Sequence, residues 1–310
     1  MENRNGAYPS YIALLESGEL AARRDRAISI LERCRLCPRE CGMNRVAGEM
    51  GVCRTGREAL VSSAHSHFGE EAPLVGKRGS GTIFFSGCSL KCLFCQNYEI
   101  SHLAQGDETT AGRLAFLMLR LQEMGCHNIN LVTPTHVVPQ TLEALELAAK
   151  GGLRLPIVYN TGGYDSIEVI RLLDGIVDVY MPDVKYLSSA PAAEYSDAAD
   201  YPDVIRNVIR EMHRQVGDLE ISADGIAIRG LLVRHLVMPG LLDDTARVAA
   251  FLADVSRDTY VNVMDQYRPE YLAGEHPPLD RALSRDEWRE ALRLAGAAGL
   301  HRFDGCRRFD

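Results

Sequence analysis

The sequence predicts an α/β protein built around a parallel sheet. Three observations predict it. From residue 78 onward, short β-prone runs alternate with helical stretches, the pattern of successive βαβ units. Several of those runs are continuous and apolar, as strands covered by helices are. The composition, 46% hydrophobic and 25% charged over 310 residues, suits one large domain with a small appendage.

The elements follow in order. Residues 8–33 read as two short helices broken near Gly18, with Ile12, Leu14, Leu15, Ala21, Ala22, Ala27 and Ile28 as the apolar positions among charges. A segment rich in Gly, Arg, Pro and Cys comes next, where Gly42, Gly48, Gly51 and Gly56 permit tight turns. The expected strands are Thr82–Ser86, Asn128–Thr133, Pro156–Thr161, Val177–Asp183, Leu231–Met238 and Tyr260–Asp265, with a short one at Arg302–Phe303. Helices are expected over 109–124, 138–150, 165–173, 201–216, 243–255 and 284–298, with N-caps near Thr109-Thr110 and Asp243-Asp244. Gly217–Gly230 breaks the alternation, and its Asp224-Gly225 reads as a hairpin turn. Right-handed crossovers then build a parallel sheet, open or closed. The division expected is a helical, cysteine-rich N-terminal module at 1–77 and an α/β domain at 78–310.

A net charge of −8 and the lack of long basic runs argue against general binding to nucleic acid or membrane surfaces. No apolar stretch approaches the roughly 18–20 residues of a membrane span, and the polar N-terminus lacks a signal core. A cytoplasmic location is therefore expected, where disulfides are disfavoured and nine cysteines need another explanation. Seven fall into two groups: Cys34, Cys37, Cys41 and Cys53, then Cys88, Cys92 and Cys95. Cys126 and Cys306 stand alone and read as buried small hydrophobes.

The second group, Cys88-Ser-Leu-Lys-Cys92-Leu-Phe-Cys95, brings three soft thiolates onto one loop directly after the first expected strand. A cubane held by three cysteines leaves one iron free for another ligand; the competing reading is a zinc loop with a distant fourth ligand. The first group supplies four ligands, enough for a tetrahedral zinc ion or a second cluster, against a reading as free thiols. Polar residues recur at the strand ends: Thr133 and His136, Asn160 and Thr161, Asp183 and Lys185, Asp265 and Gln266. Such ends gather the working residues of parallel βα barrels, although each residue singly reads as a cap or loop residue. His65, His67, Glu70 and Glu71 (HSHFGEE) precede the first expected strand and read as positioning and hydrogen-bonding groups rather than metal ligands.

At these residues the chain resembles the radical S-adenosylmethionine superfamily, whose signature is C-x3-C-x2-C with an aromatic before the last cysteine, here Phe94. GSGTIFFSGCSLKCLFCQNYEIS (79–101), DGIAIRGLLVRHLVMPG and CRLCPRECGMNR are similar to the branch of pyruvate formate-lyase activating enzyme-like proteins. The resemblance implies a partial (βα)6 barrel and a 4Fe-4S cluster on Cys88, Cys92 and Cys95. It also implies S-adenosylmethionine on the open iron and an electron donor of the reduced flavodoxin or ferredoxin type. Reductive cleavage of the sulfonium would yield methionine and a 5′-deoxyadenosyl radical that abstracts hydrogen from the substrate. The protein would supply position, electrostatics and exclusion of water.

Residue by residue, the resemblance makes Met181-Pro-Asp183-Val-Lys185 similar to the M-x-D-x-K element that flanks the cofactor. Asp183 would bind ribose hydroxyls or a cation, and Lys185 would neutralise a carboxylate. Arg234 shares a strand face with Leu236 and Met238 and would meet the cofactor's methionine carboxylate; an internal salt bridge with Asp183 is the competing reading. Tyr159-Asn160-Thr161-Gly162 stands where activating enzymes carry Asp-Thr. With Asn160 in place of the Asp a charge is lost, and a monovalent-cation site there is in doubt. Thr133-Pro-Thr135-His136 replaces the Gly-Gly-Glu that contacts the cofactor's amine. Thr133 or Thr135 would accept from the amine, and His136 would act as a proton donor or face the substrate, unless it is structural. Three functions follow as expectations: an activating enzyme that installs a glycyl radical on a partner protein, a radical enzyme acting on another peptide or a small molecule, or a non-catalytic iron–sulfur electron carrier.

Overall fold

The computed structural model describes residues 8–305. Helices α1 (Tyr11–Ser17) and α2 (Glu19–Ser29) meet at Gly18, whose left-handed φ of +79° stops the first helix, as the sequence predicts. The Tyr11 hydroxyl lies within 3.2 Å of the Leu153 carbonyl and 3.1 Å of the Leu155 carbonyl, which pins this pair to the turn ahead of a sheet strand. The first cysteine group follows in irregular chain broken by two single 3-10 turns, Ile30–Arg33 and Arg45–Ala47.

The sheet and its covering helices are then laid down as β1 (Ala59–His67), α3 (Ala72–Val75), β2 (Ser80–Phe85), α4 (Tyr98–Ser101), β3 (Asp107–Thr109), α5 (Ala111–Glu123) and β4 (Ile129–Val132). Next come α6 (Val138–Lys150), β5 (Ile157–Thr161), α7 (Ile167–Leu172), β6 (Val179–Pro182), α8 (Ser189–Ser196), α9 (Tyr201–Val216) and β7 (Glu220–Ile221). The described chain ends with β8 (Ala227–Leu236), α10 (Leu242–Val255), β9 (Tyr260–Met264), α11 (Arg285–Ala297) and β10 (Arg302–Phe303).

Ten strands form one mixed sheet in the order β10-β9-β8-β6-β5-β4-β2-β1-β3, with β7 added to β8. From β2 to β10 the neighbours along this path are parallel and follow chain order, as short right-handed crossovers dictate. The ends of the path do not pair, so the sheet is not closed into a barrel.

Each expected strand lies on one of these. The sequence reading missed β1, which runs antiparallel to β2 from Val61↔Phe85 to His67↔Ser80, and β3, which pairs with β1. β1 (ALVSSAHSH) is built from small and polar residues and lacks the apolar run that marks a covered strand. Because β1 and β2 are neighbours, the division drawn at residue 77 runs between two paired strands of one sheet.

Capping accounts for several helix boundaries. Thr110 Oγ1 accepts from the Arg113 amide at 3.3 Å, and Ser284 and Glu287 form a reciprocal capping box on α11. Asp243 and Asp244 do not cap α10. They lie in its first turn, and Asp244 Oδ1 instead accepts from the Leu187 amide at 2.7 Å. The hairpin is present as β7 against the start of β8.

Strand alternation sends Ile129, Leu131, Ile157, Tyr159, Tyr180, Leu231, Val233 and Val261 into the large core under the helices. The opposite face carries a second apolar cluster of Val158, Val179, Met181 and Leu232 with Leu74, Leu219 and Ala227. Leu74 belongs to α3, so the segment between β1 and β2 plugs the face that the long helices leave open. Among the described residues, no helix is long and apolar enough to cross a membrane. Cys306 lies outside the described residues.

Candidate functional site

One step along the strands from the apolar plug, toward their C-terminal ends, the same face turns polar. Asn160 follows Val158, Asp183 follows Met181 and Arg234 follows Leu232. Arg234 is the hub. Its Nε donates to Asp183 Oδ1 at 2.8 Å, Nη1 to Glu70 Oε2 at 3.3 Å and Nη2 to Asn160 Oδ1 at 2.7 Å. Lys185 Nζ donates to the other oxygen of Asp183 at 3.0 Å. Burial raises the Asp183 carboxyl pKa, but Arg234 and Lys185 outweigh it and hold the group below the usual carboxylate range. The internal salt bridge between Arg234 and Asp183 is thus present, and Glu70 is its third charged member.

Glu70 enters from the segment just before α3. Its Oε1 accepts from Asn130 Nδ2 at 3.1 Å and from Asn160 Nδ2 at 3.4 Å. Burial pushes its carboxyl up to about 7, against the opposing pull of Arg234. Glu71 lies one strand farther along the same face, where Asn262, the register partner of Arg234, donates to it through Nδ2 at 2.9 Å. The HSHFGEE run therefore supplies hydrogen-bonding groups to the strand ends, as expected, and nothing in its spacing had linked it to Arg234.

The three-cysteine loop leaves the C-terminal end of β2 beside this layer. Burial raises Cys88 to about 12, with a further upward push from the neighbouring Cys92 and Cys95 sulfurs. Cys92 Sγ lies 2.9 Å from Ser196 Oγ, which is also hydrogen-bonded to the Tyr186 hydroxyl, and Cys95 Sγ lies 3.1 Å from Ser101 Oγ. Burial raises the Cys92 thiol as well, while Lys185 and Ser196 oppose it. Phe94 is buried and set edge-on to Tyr186, with ring centroids 6.5 Å apart. The chain after β9 returns over this loop. The Leu272 amide donates to the Leu93 carbonyl at 2.9 Å, and Tyr271 stacks on Tyr98 at 5.0 Å.

A cleft of about 680 Å³, counted to its open mouth, joins the two parts. Cys92, Phe94, Cys95, Asp183, Lys185 and Arg234 line it, along with Gln96, Leu236, Met264 and Gln266. It unites residues from separate strand ends and the cysteine loop.

Other candidates are placed elsewhere. Thr135 and Thr161 are buried and donate to opposite oxygens of Asp165, each at 2.7 Å, and the Tyr159 hydroxyl completes the set at 2.8 Å. Their hydroxyls are committed within the core and do not face the cleft. Thr133 is held at φ +58°, its amide donating to the Asn160 carbonyl at 2.8 Å. Met181 is part of the apolar plug. His136, expected to meet substrate or cofactor, is 1% exposed. Its Nε2–H donates to the Ser86 carbonyl at 2.8 Å, and burial lowers it to about 3, so the ring is neutral. It supports the turn before Cys88 and does not line the cleft.

The upstream cysteines also form one group. Cys34, Cys37 and Cys53 are buried and Cys41 is half-buried. Burial raises Cys37 to about 12, with smaller contributions from Cys53, Cys34 and Cys41. Arg39 ties this module to the other cysteine loop, its Nε donating to the Ser89 carbonyl at 3.0 Å.

Among the described residues, no three His, Cys, Asp or Glu side chains already stand as ligands of a single metal ion. Sulfurs on one zinc ion lie within about 3.8 Å of each other, given Zn–S bonds of about 2.3 Å. Thiolates on a cubane each take a different iron and stand farther apart.

No protein-family model matches the chain. It is 34% identical over 278 residues to the uncharacterized protein MJ0674 of Methanocaldococcus jannaschii, across 87% of this chain and 76% of that protein. The chain belongs to the same family as that archaeal protein.

Proposed function

We propose that the protein is a radical S-adenosylmethionine enzyme with a partial (βα)6 barrel, its 4Fe-4S cluster held by Cys88, Cys92 and Cys95. The observation that carries this reading is the cleft itself, in which thiols from a C-x3-C-x2-C loop face Asp183, Lys185 and Arg234. The donor set fits the group in its chemistry: three soft thiols lie on one loop, and two of them, Cys92 and Cys95, line the cleft. Cys88, Cys92 and Cys95 would hold the cluster, and when bound the cluster and S-adenosylmethionine would supply one-electron chemistry for hydrogen abstraction from substrate.

The remaining work falls to the chain. Lys185, drawn toward both Asp183 and the Cys92 sulfur, favours the thiolate form that a metal ligand needs. Ser196 and Ser101 hold Cys92 and Cys95 in place by hydrogen bonds that thiolates can keep as acceptors. Lys185 and Arg234 offer positive charge to a carboxylate in the cleft, and Asp183 fixes both donors. Phe94, between Tyr186 and Tyr267, keeps the wall apolar and dry.

The test is reductive cleavage. Protein reconstituted anaerobically with iron and sulfide, then given dithionite and S-adenosylmethionine, should form 5′-deoxyadenosine. Cys92→Ala should abolish that product and Cys126→Ala should retain it. No product from fully reconstituted wild type would sink the proposal. A glycyl-radical signal on a co-incubated partner would identify an activating enzyme; a labelled peptide or small molecule losing hydrogen would identify the other radical reading.

A further inference from the structure

We infer that Cys34, Cys37, Cys41 and Cys53 hold a thiolate-bound metal centre whose negative charge is balanced by Arg45. Arg45 is fully buried. Its Nε and Nη2 donate to the Gly56 carbonyl at 3.1 and 3.0 Å, and its Nη1 donates to the His136 carbonyl at 2.7 Å. The remaining neighbour of Nη1 is Cys34 Sγ at 3.9 Å. Among the described residues, no carboxylate is within hydrogen-bonding reach of this guanidinium.

A guanidinium cannot shed its proton, and carbonyl dipoles alone do not neutralise a full charge in a place without water. Four neutral thiols supply no charge either. Four thiolates on a divalent ion, or on a 4Fe-4S core, carry a net negative charge. Such a centre places an anion where the buried cation needs one.

The local chain is folded around the four sulfurs. The Gly42 amide donates to the Cys34 carbonyl and the Cys34 amide to the Met43 carbonyl, both at 3.0 Å, while the Glu40 amide closes a turn on the Cys37 carbonyl at 3.1 Å. These turns set Cys34, Cys37 and Cys41 along one side. A Cβ on Gly51 would lie 2.7 Å from Cys41 Sγ, so the strand of chain leading to Cys53 passes directly over that thiol. Arg45 itself is held in a 3-10 turn, where the Asn44 side chain accepts from the Ala47 amide at 3.1 Å. Beyond that turn the module has no regular secondary structure from Cys34 to Arg57, as expected of a segment that a metal ties together. All four cysteines are free thiols.

The centre would also adjoin the other cysteine loop. A Cβ on Gly87 would lie 2.3 Å from the Cys53 carbonyl oxygen, which brings the Cys53 and Cys88 α-carbons within roughly 10 Å by bond geometry. This inference rests on different residues from the proposed function and stands without it.

The test uses the full chain with Cys88, Cys92 and Cys95 all changed to Ala. The protein is purified anaerobically, offered iron with sulfide in one arm and zinc in the other, desalted, and assayed for iron, acid-labile sulfide and zinc. Stoichiometric metal is expected in one arm, iron with sulfide identifying a cluster and zinc alone a single-ion site. Adding Cys37→Ala should abolish it. Adding Arg45→Met should weaken metal retention against a chelator by about 10–100-fold, the usual effect of losing an outer partner. Should the triple variant fail to fold, metal content of wild type minus that of Cys53→Ala gives the same count. No metal in either arm, with four thiols reacting freely in the native protein, would overturn the inference; undiminished retention in Arg45→Met would overturn the role of Arg45.

Discussion

Glu70 makes the stability of this protein depend on pH in a direction opposite to that of most carboxylates. Its carboxyl is pushed from an ordinary value of 4.5 up to about 7, first by burial, with Arg234 pulling the other way. A carboxyl whose folded value lies above its unfolded one holds its proton more tightly when folded. Its contribution is therefore fully present below pH 4.5 and is lost as pH rises through about 7. Integrated from pH 5 to pH 8, a shift of this size removes roughly 2–3 kcal/mol of stability. Other groups titrate over the same range, so the measurement is a difference. Urea unfolding of wild type and Glu70→Gln is followed at pH 5, 6, 7 and 8. The substituted amide keeps an acceptor for Asn130 and Asn160 but carries no proton to lose. The variant should gain on wild type across the range, most steeply between about pH 5 and 6.5 and progressively less above about pH 7. Parallel stability profiles for the two proteins would show that Glu70 ionises as an ordinary exposed carboxylate and would refute the account of its burial beside Arg234.

Three further outcomes follow from the geometry. Asp183→Asn removes the negative charge shared by Arg234 and Lys185 and replaces one of its two acceptor oxygens with a donor, leaving the two cations without a counter-charge between them. Arg234 retains Glu70 and Asn160, so the cost should fall near the lower end of the ~3–5 kcal/mol for a broken buried pair, read by urea unfolding at pH 8. Gly230→Ala should prevent folding or lower the melting temperature by well over 10 °C, because its Cβ would lie 2.4 Å from the Leu219 α-carbon at a φ of +129°; a melting curve like that of wild type would refute the close approach of β7 and β8. Ser284→Ala should cost about 1 kcal/mol through loss of the capping box on α11, with full recovery in Ser284→Asp.

How far the sequence disclosed this fold depends on the kind of signal each element carries. The parallel strands were legible because a strand covered on both faces must be apolar throughout, and runs such as Leu231–Val233 have few other uses. The break at Gly18 and the hairpin at Asp224-Gly225 were legible because their backbone conformations favour glycine strongly. β1 was not. Only its start, at Ala59 and Val61, is buried in the core, while residues 62–67 are half-buried or exposed, so small and polar side chains are accepted there and no period stands out.

The site shows the same division between local and distant signals. Cys88, Cys92 and Cys95 could be grouped from spacing, because ligands on one loop are close in sequence and in space. Asp183 and Lys185 could be placed at a strand end, and an internal salt bridge between Arg234 and Asp183 was one of the two readings of Arg234. The placement of Thr135, Thr161 and His136 behind the cleft was not legible, for a physical reason. A polar residue at a strand end can serve the cleft or can satisfy a buried group behind it, and Asp165, four residues past Thr161, claims both threonines. The partners of Glu70 and Arg45 were beyond reach in principle. Glu70 meets Arg234 across 164 positions and Arg45 meets His136 across 91, and no local pattern links either pair. Both are cases where burial of a charge creates the interest, and burial is a property of the fold. That is why the two residues carrying the sharpest tests are a glutamate with one cation within reach and an arginine with no carboxylate, among the described residues, to pair with.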